Sequence, residues 1–235
     1  MKRSFLLLAG IAAAILSFAP AVHAGGHDEP VVVSSTTVAK LVAKAPGLKA
    51  DVLRMALEAT RRAAEQGLVP NPSLLTVIDY SIPSTNPRLF VFDLSAEKLL
   101  YREHVAHGVA SGGNVPTMFS NNEGSRQTSL GLFVTQETYF GSNGYSLRLR
   151  GLERGVNDMA RARAIVMHGA PYVDPAAAKK QGRLGRSWGC PAVRSAVAKA
   201  MIDKLKGGSA IFAYYPERSW LSASRFLDES TQRGG

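Results

Sequence analysis

Cysteine is almost absent from the 235-residue chain. Cys190 stands alone, so no intramolecular disulfide can form. Acidic residues are scarce as well: 18 Asp and Glu face 28 Lys and Arg, a formal charge of +10 that suits an anionic partner. No apolar run approaches the ~20 residues of a membrane-spanning helix. No His-Glu-x-x-His metal motif and no nucleic-acid motif occur, and no repeat is present. These absences set aside a disulfide scaffold, a spanning protein, a helical zinc-peptidase site and a nucleic-acid partner.

The N-terminus has a distinct character. Met1-Lys2-Arg3 is basic, Ser4 to Phe18 is nearly all apolar, and Val22-His23-Ala24 offers a small-residue cleavage site. Residues 1–24 therefore read as a secretory signal peptide cut after Ala24. No cysteine lies near the cut, so no lipoprotein anchor is expected. The mature chain is expected beyond the inner membrane, in the periplasm or wall, without stable membrane insertion. A lone thiol in an oxidising compartment is a liability unless it is buried or used.

Residues 25–73 read as a small-residue leader up to 48, partly disordered, followed by a helix over Ala50–Gln66. In that helix Val52, Met55, Ala56, Ala59 and Ala63 recur at helical spacing. Residues 74–216 read as one β-rich domain, and 217–235 as a tail. Strands are expected over Leu74–Tyr80, Arg88–Leu94, Lys98–His107, Leu130–Thr138, Tyr145–Leu152, Ala164–Met167 and Ser209–Tyr215. Ser111–Ser129, rich in Gly, Asn and Ser, reads as a long loop of the kind that often carries function. Pro191–Lys206 reads as a helix entered directly from Cys190.

Cysteine chemistry needs a thiolate, a base and an oxyanion site. Cys190 at a helix start would have its thiolate favoured by the dipole and its pKa depressed. The N–H groups of Gly189 and Cys190 would form the oxyanion hole. His168, ending a buried strand, is the candidate base. Glu103-His104-Val105-Ala106-His107 invites a metal reading, but two histidines three apart on a strand face opposite sides. No metal and no cofactor are expected.

Five segments carry a family resemblance: Phe119-Ser120-Asn121, Thr128-Ser129-Leu130-Gly131, Gly144-Tyr145-Ser146-Leu147, Val166-Met167-His168-Gly169-Ala170 and Gly185-Arg186-Ser187-Trp188-Gly189-Cys190-Pro191-Ala192-Val193. Together they resemble the L,D-transpeptidase catalytic domain family, most nearly its murein L,D-transpeptidase branch. The resemblance implies a mainly β sandwich or barrel, with a short helical N-terminal region and one helix after the nucleophile. It implies peptidoglycan stem peptides as partners. Cys190 would attack an L,D bond, expel terminal D-alanine and form a thioester, which an amine of a neighbouring stem resolves. His168 would serve as base and then acid, oriented by a backbone carbonyl, and Ser187 would support the loop.

The main family has a second histidine where this chain has Trp188, and Arg or Asn where it has Ala192. Arg186, Arg183 or Arg194 would then read the substrate carboxylate. Asn121 and Tyr145 are candidates to line the cleft. Trp188 would pack beneath the nucleophile or stack on ligand, and packing is the expectation. An L,D-carboxypeptidase, an inactive wall-binding protein and a zinc peptidase stay open as other readings.

Overall fold

The computed structural model describes residues 34–227. The signal-peptide reading falls on residues outside that range.

Two helices lead the chain, α1 over Ser35–Lys44 and α2 over Ala50–Glu65. The α2 stripe read from spacing is the buried one: Val52, Leu53, Met55, Ala56, Leu57, Ala59 and Ala63 all face the interior. The opposite face carries ion pairs of Glu58 with Arg61 and Arg62. α1 corrects the leader expectation. Only Val38 and Leu41 are buried in it, too thin a stripe to register as periodicity. Ser34 caps it by accepting from Thr37 N–H at 3.0 Å. Lys40 and Lys44 tie it to Glu97 in a distant turn.

The strands follow: β1 (Asn71–Asp79), β2 (Leu89–Asp93), β3 (Lys98–Glu103), β4 (Gly131–Gly141), β5 (Gly144–Gly151) and β6 (Val166–Ala170). Next come helix α3 (Pro175–Gln181), β7 (Ala192–Arg194), α4 (Ser195–Leu205), β8 (Ser209–Tyr214) and α5 (Arg218–Ala223). The eight strands form one sheet in the order β3-β2-β1-β8-β4-β5-β6-β7. β1 pairs with β8 in parallel, Val77 against Phe212, and β6 pairs with β7 in parallel. Past β3, Val105 bridges Val193, and Ala106 N–H donates to the Ala192 carbonyl at 2.8 Å. The two outer strands thus meet, and the sheet nearly closes as a barrel.

α2 packs on β1 and β8, and Leu53 and Leu57 join Leu75, Val77 and Phe212 in one core. The segment expected as a tail is docked through 227. Trp220 is buried against Phe212 and Tyr214, and its indole N–H donates to Glu153 at 3.1 Å. Two helices, α4 and α5, follow the nucleophile rather than one. Among the described residues, no helix is long and apolar enough to cross a membrane.

Candidate active site

Cys190 lies between the parallel partners β6 and β7. It does not enter a helix: Ala192–Arg194 is strand, and α4 begins only at Ser195. Ala192 and Val193 are fully buried and hydrogen-bonded to the chain after β3, which holds them extended. The helical spacing of Val193 with Val197 was therefore real at one end and misleading at the other.

The thiol is turned inward. Val166 N–H donates to Sγ at 3.5 Å, and the Sγ–H points to the Ala164 carbonyl at 3.7 Å. Ala164 has φ of +53°, a left-handed conformation that a non-glycine residue adopts at a cost of about 1 kcal/mol. Without a helix dipole, burial pushes the thiol above its ordinary 9.0, while Val166 N–H and the Arg163 charge pull it back. The depressed pKa expected from sequence is thereby corrected.

His168 pairs with Ala192 across β6 and β7, which brings it to the nucleophile segment. Its Nδ1 lies 3.0 Å from the Gly169 carbonyl. Only a protonated Nδ1 can bond a carbonyl, so Nε2 carries the lone pair. Burial holds the imidazole below its ordinary 6.5, and the Gly169 carbonyl partly opposes this. The ring is neutral near pH 7, as a base must be.

Ser187 staples the turn. Its Oγ donates to the Cys190 carbonyl at 2.6 Å and accepts from Gly189 N–H at 3.1 Å, while its own N–H donates to the His107 carbonyl. The Gly189 N–H expected in the oxyanion hole is thus engaged by Ser187. Gly189 has φ of +120°, and a Cβ there would meet the Gln127 carbonyl oxygen at 2.8 Å. Any other residue would be strained and would clash.

The side chains of the remaining sequence candidates are engaged with other partners. Arg194 makes a two-pronged ion pair with Glu103 at 2.8 and 2.6 Å. Arg186 donates to the carbonyls of Val109 and Gly112, and Arg183 to that of Leu184. Tyr145 donates its hydroxyl to Asp203 on α4. Asn121 bridges Asp158 and the Met159 N–H beside a separate open cleft of about 350 Å³. His104 meets the Thr85 carbonyl, whereas His107 accepts from buried Arg88 at 2.7 Å, so the two engage separate partners. Trp188 overturns the packing expectation: it is 72% exposed.

Sequence reading missed neighbours of the thiol, Arg163 and Tyr172 among them. Arg163 donates to the Ser120 and Gln127 carbonyls and the Ser125 and Ser129 hydroxyls, pinning the long loop. It also acts electrostatically on Cys190. Tyr172 has its phenol pushed up to about 12, first by burial and then by the Cys190 charge. Nothing in Arg161-Ala162-Arg163 distinguishes the third residue from a solvated charge; Arg161 next door is just that, paired with exposed Glu137.

A nearly closed mainly β barrel with a histidine strand beside a buried cysteine turn defines the class: L,D-transpeptidase-like domains. Residues 44–214 match the family described as L,D-transpeptidase catalytic domain, and the chain belongs to that family. The match includes α2. Among curated proteins none matches. Solved structures with similar folds include an L,D-transpeptidase from Mycobacterium smegmatis at 15% identity and TM-score 0.37, with 61% of this chain and 59% of that one covered. L,D-transpeptidase 1 of Mycobacterium tuberculosis is similar at 15% identity, TM-score 0.34, with 61% and 62% covered. The helical cell shape determining protein Pgp2 from Campylobacter jejuni is similar at 11% identity, TM-score 0.35, with 69% and 55% covered. This chain thus spans less than two thirds of the length of each of these proteins.

Proposed function

We propose that the protein is a cysteine-dependent L,D-transpeptidase acting on peptidoglycan stem peptides outside the inner membrane. The observation that carries this reading is the pairing of His168 with the segment just after Cys190, with Nδ1–H held by the Gly169 carbonyl. That arrangement leaves Nε2 as the only basic atom of the ring. Nε2 takes the thiol proton as Sγ attacks the carbonyl at the L,D bond. The tetrahedral oxyanion collapses, the C–N bond breaks, and Nε2 returns the proton to the leaving D-alanine amine. The Sγ–acyl thioester remains until a stem amine attacks it.

Two adjustments accompany the reaction. The thiol leaves its contacts with Ala164 and Val166, since catalytic hydrogen bonds commonly tighten only in the substrate complex. The oxyanion is met by Cys190 N–H, joined by Gly189 N–H if it leaves Ser187. Export rests on the N-terminal segment, and the excess of basic residues suits an anionic wall polymer.

Intact-protein mass spectrometry with purified disaccharide-tetrapeptide tests this reading. Wild type should carry an acyl adduct on Cys190, release D-alanine and yield a cross-linked dimer. Cys190→Ala should lose turnover by about 10³-fold or more while keeping its melting temperature. Full activity in that variant would sink the mechanism. Release of D-alanine with tripeptide alone would assign an L,D-carboxypeptidase instead.

A further inference from the structure

Ala192, two positions after the cysteine, is fully buried and carries no polar group. The three arginines nearest in sequence are occupied by Glu103 or by backbone carbonyls. A different arginine is differently placed. Arg126 is exposed, and its guanidinium carbon stands 4.6 Å from the centroid of the Trp188 ring. No described carboxylate pairs with it, and its side chain has the indole as partner.

The backbone under this pair is tightly fixed. Arg126 has φ of +54°, a strained conformation, and its carbonyl accepts from Ala110 N–H. The Gln127 carbonyl accepts from Arg163 at 2.7 Å and lies against Gly189 so closely that a Cβ there could not fit. Residues 126–127 therefore run beside the Trp188-Gly189-Cys190 turn. A guanidinium over an indole gives up no N–H donor to a hydrogen-bonding partner there, so its fork remains available to a carboxylate.

We propose that Arg126, held by Trp188, is the carboxylate-binding residue of this active site. Its ligand is a peptide bearing a free carboxylate close to the scissile bond, with alkyl carbons that lie on the exposed indole. The inference rests on the proposed transpeptidase reading for its substrate class. The carboxylate has two sources, the C-terminal D-alanine or an acidic stem side chain. Arg126 is the binding residue and Trp188 a positioning residue.

Calorimetric binding to the full chain carrying Cys190→Ala tests the subsite without turnover. Three probes are compared: a stem tetrapeptide with free carboxylates, the same peptide amidated at its C-terminus, and one amidated at the acidic side chain. One amide should bind about 10- to 100-fold more weakly than the free acid, and it identifies the carboxylate that is read. Adding Arg126→Gln should weaken the free acid by a similar factor and erase the difference between acid and amide. Trp188→Ala should do part of this, and Trp188→Phe should restore most of it.

Equal binding of all three probes, binding of none, or retained discrimination in Arg126→Gln with an unchanged melting temperature would overturn the proposal. Arg126-dependent binding beside a wild type that never turns over would overturn the transpeptidase reading and leave the subsite standing. Turnover with no Arg126 dependence would do the reverse.

Discussion

The half of the sheet under α1 and α2 and the half around β6 and β7 are built by different means. The first is apolar packing: Leu41, Leu53, Leu57, Leu75 and Phe92 are all at most 2% exposed. Its ion pairs lie outside, on the helix surfaces. The second is held by side chains bonded to main chain. Arg163 binds four loop atoms, Ser187 bonds both sides of its turn, and buried Arg88 serves the carbonyls of Ile82 and Val105. Positive-φ Arg126 and Ala164 occur only in the second half, whereas the first has Glu97, in a surface turn. The contrast teaches that one half supplies stability while the other spends some of it to hold a buried thiol in place.

Emptying the packed half should have the largest effect on stability. Leu53→Ala removes a side chain with no solvent exposure and should cost about 2–5 kcal/mol in denaturant unfolding. The refolded fraction should keep its Cys190 chemistry. Loss of thiol reactivity at full stability would show that the halves are not separable in this way.

Acid should strike the polar half. Burial first, then Arg88 and Arg186, hold His107 down to about 4, against an ordinary 6.5. The unfolded chain therefore takes up a proton that the folded one refuses. Stability from this site is fully present above about 6.5, falls as pH drops, and levels out near 4, with a total of about 3 kcal/mol. Asp79 and Glu153, whose carboxyls burial pushes up, act in the opposite sense across the carboxylate range. Comparing urea unfolding of wild type and His107→Asn between pH 4 and 7 isolates the histidine. Identical slopes would remove His107 from the account.

A smaller effect is expected from Arg163→Lys. It keeps a charge but loses the fork that spans the loop. The thiol should rise further, and iodoacetamide alkylation at pH 7.5 should slow about 10-fold, with the rate profile displaced to higher pH. An unmoved profile would limit Arg163 to pinning the loop. Smallest of all is Lys40→Ala. Its pair with Glu97 is exposed, and its loss should change stability by about 1 kcal/mol or less in thermal melts.

The same contrast governs what sequence could reveal. Period-two and helical spacing located seven of the strands within a few residues, as well as α2, because each buries a face that its own residues announce. α1 escaped because only two residues are buried. β7 escaped because Ala192-Val193-Arg194 is too short to show a period and is extended only through partners distant in the chain. His168 and Cys190 stand out because each sits in a motif segment, Val166-Met167-His168-Gly169-Ala170 and Ser187-Trp188-Gly189-Cys190. Arg163 and Arg126 do not, since arginine is common and only three-dimensional neighbours separate a solvated guanidinium from a bound one. Asn121 and Tyr145 were legible as motif residues, yet their side chains serve Asp158 and Asp203.

Closure of the barrel between Val105 and Val193 also bears on when the thiol becomes enclosed. The turn bearing the thiol takes its support from the His107 carbonyl on one side and from β6 on the other. Contacts so far apart along the chain form late and slowly. A chain emerging in part, or folded only in its helical half, would present an ordinary solvent-exposed cysteine. The order of assembly thus works as a timer: the thiol is withdrawn from solvent, and its ionisation opposed by burial, only once both outer strands have met.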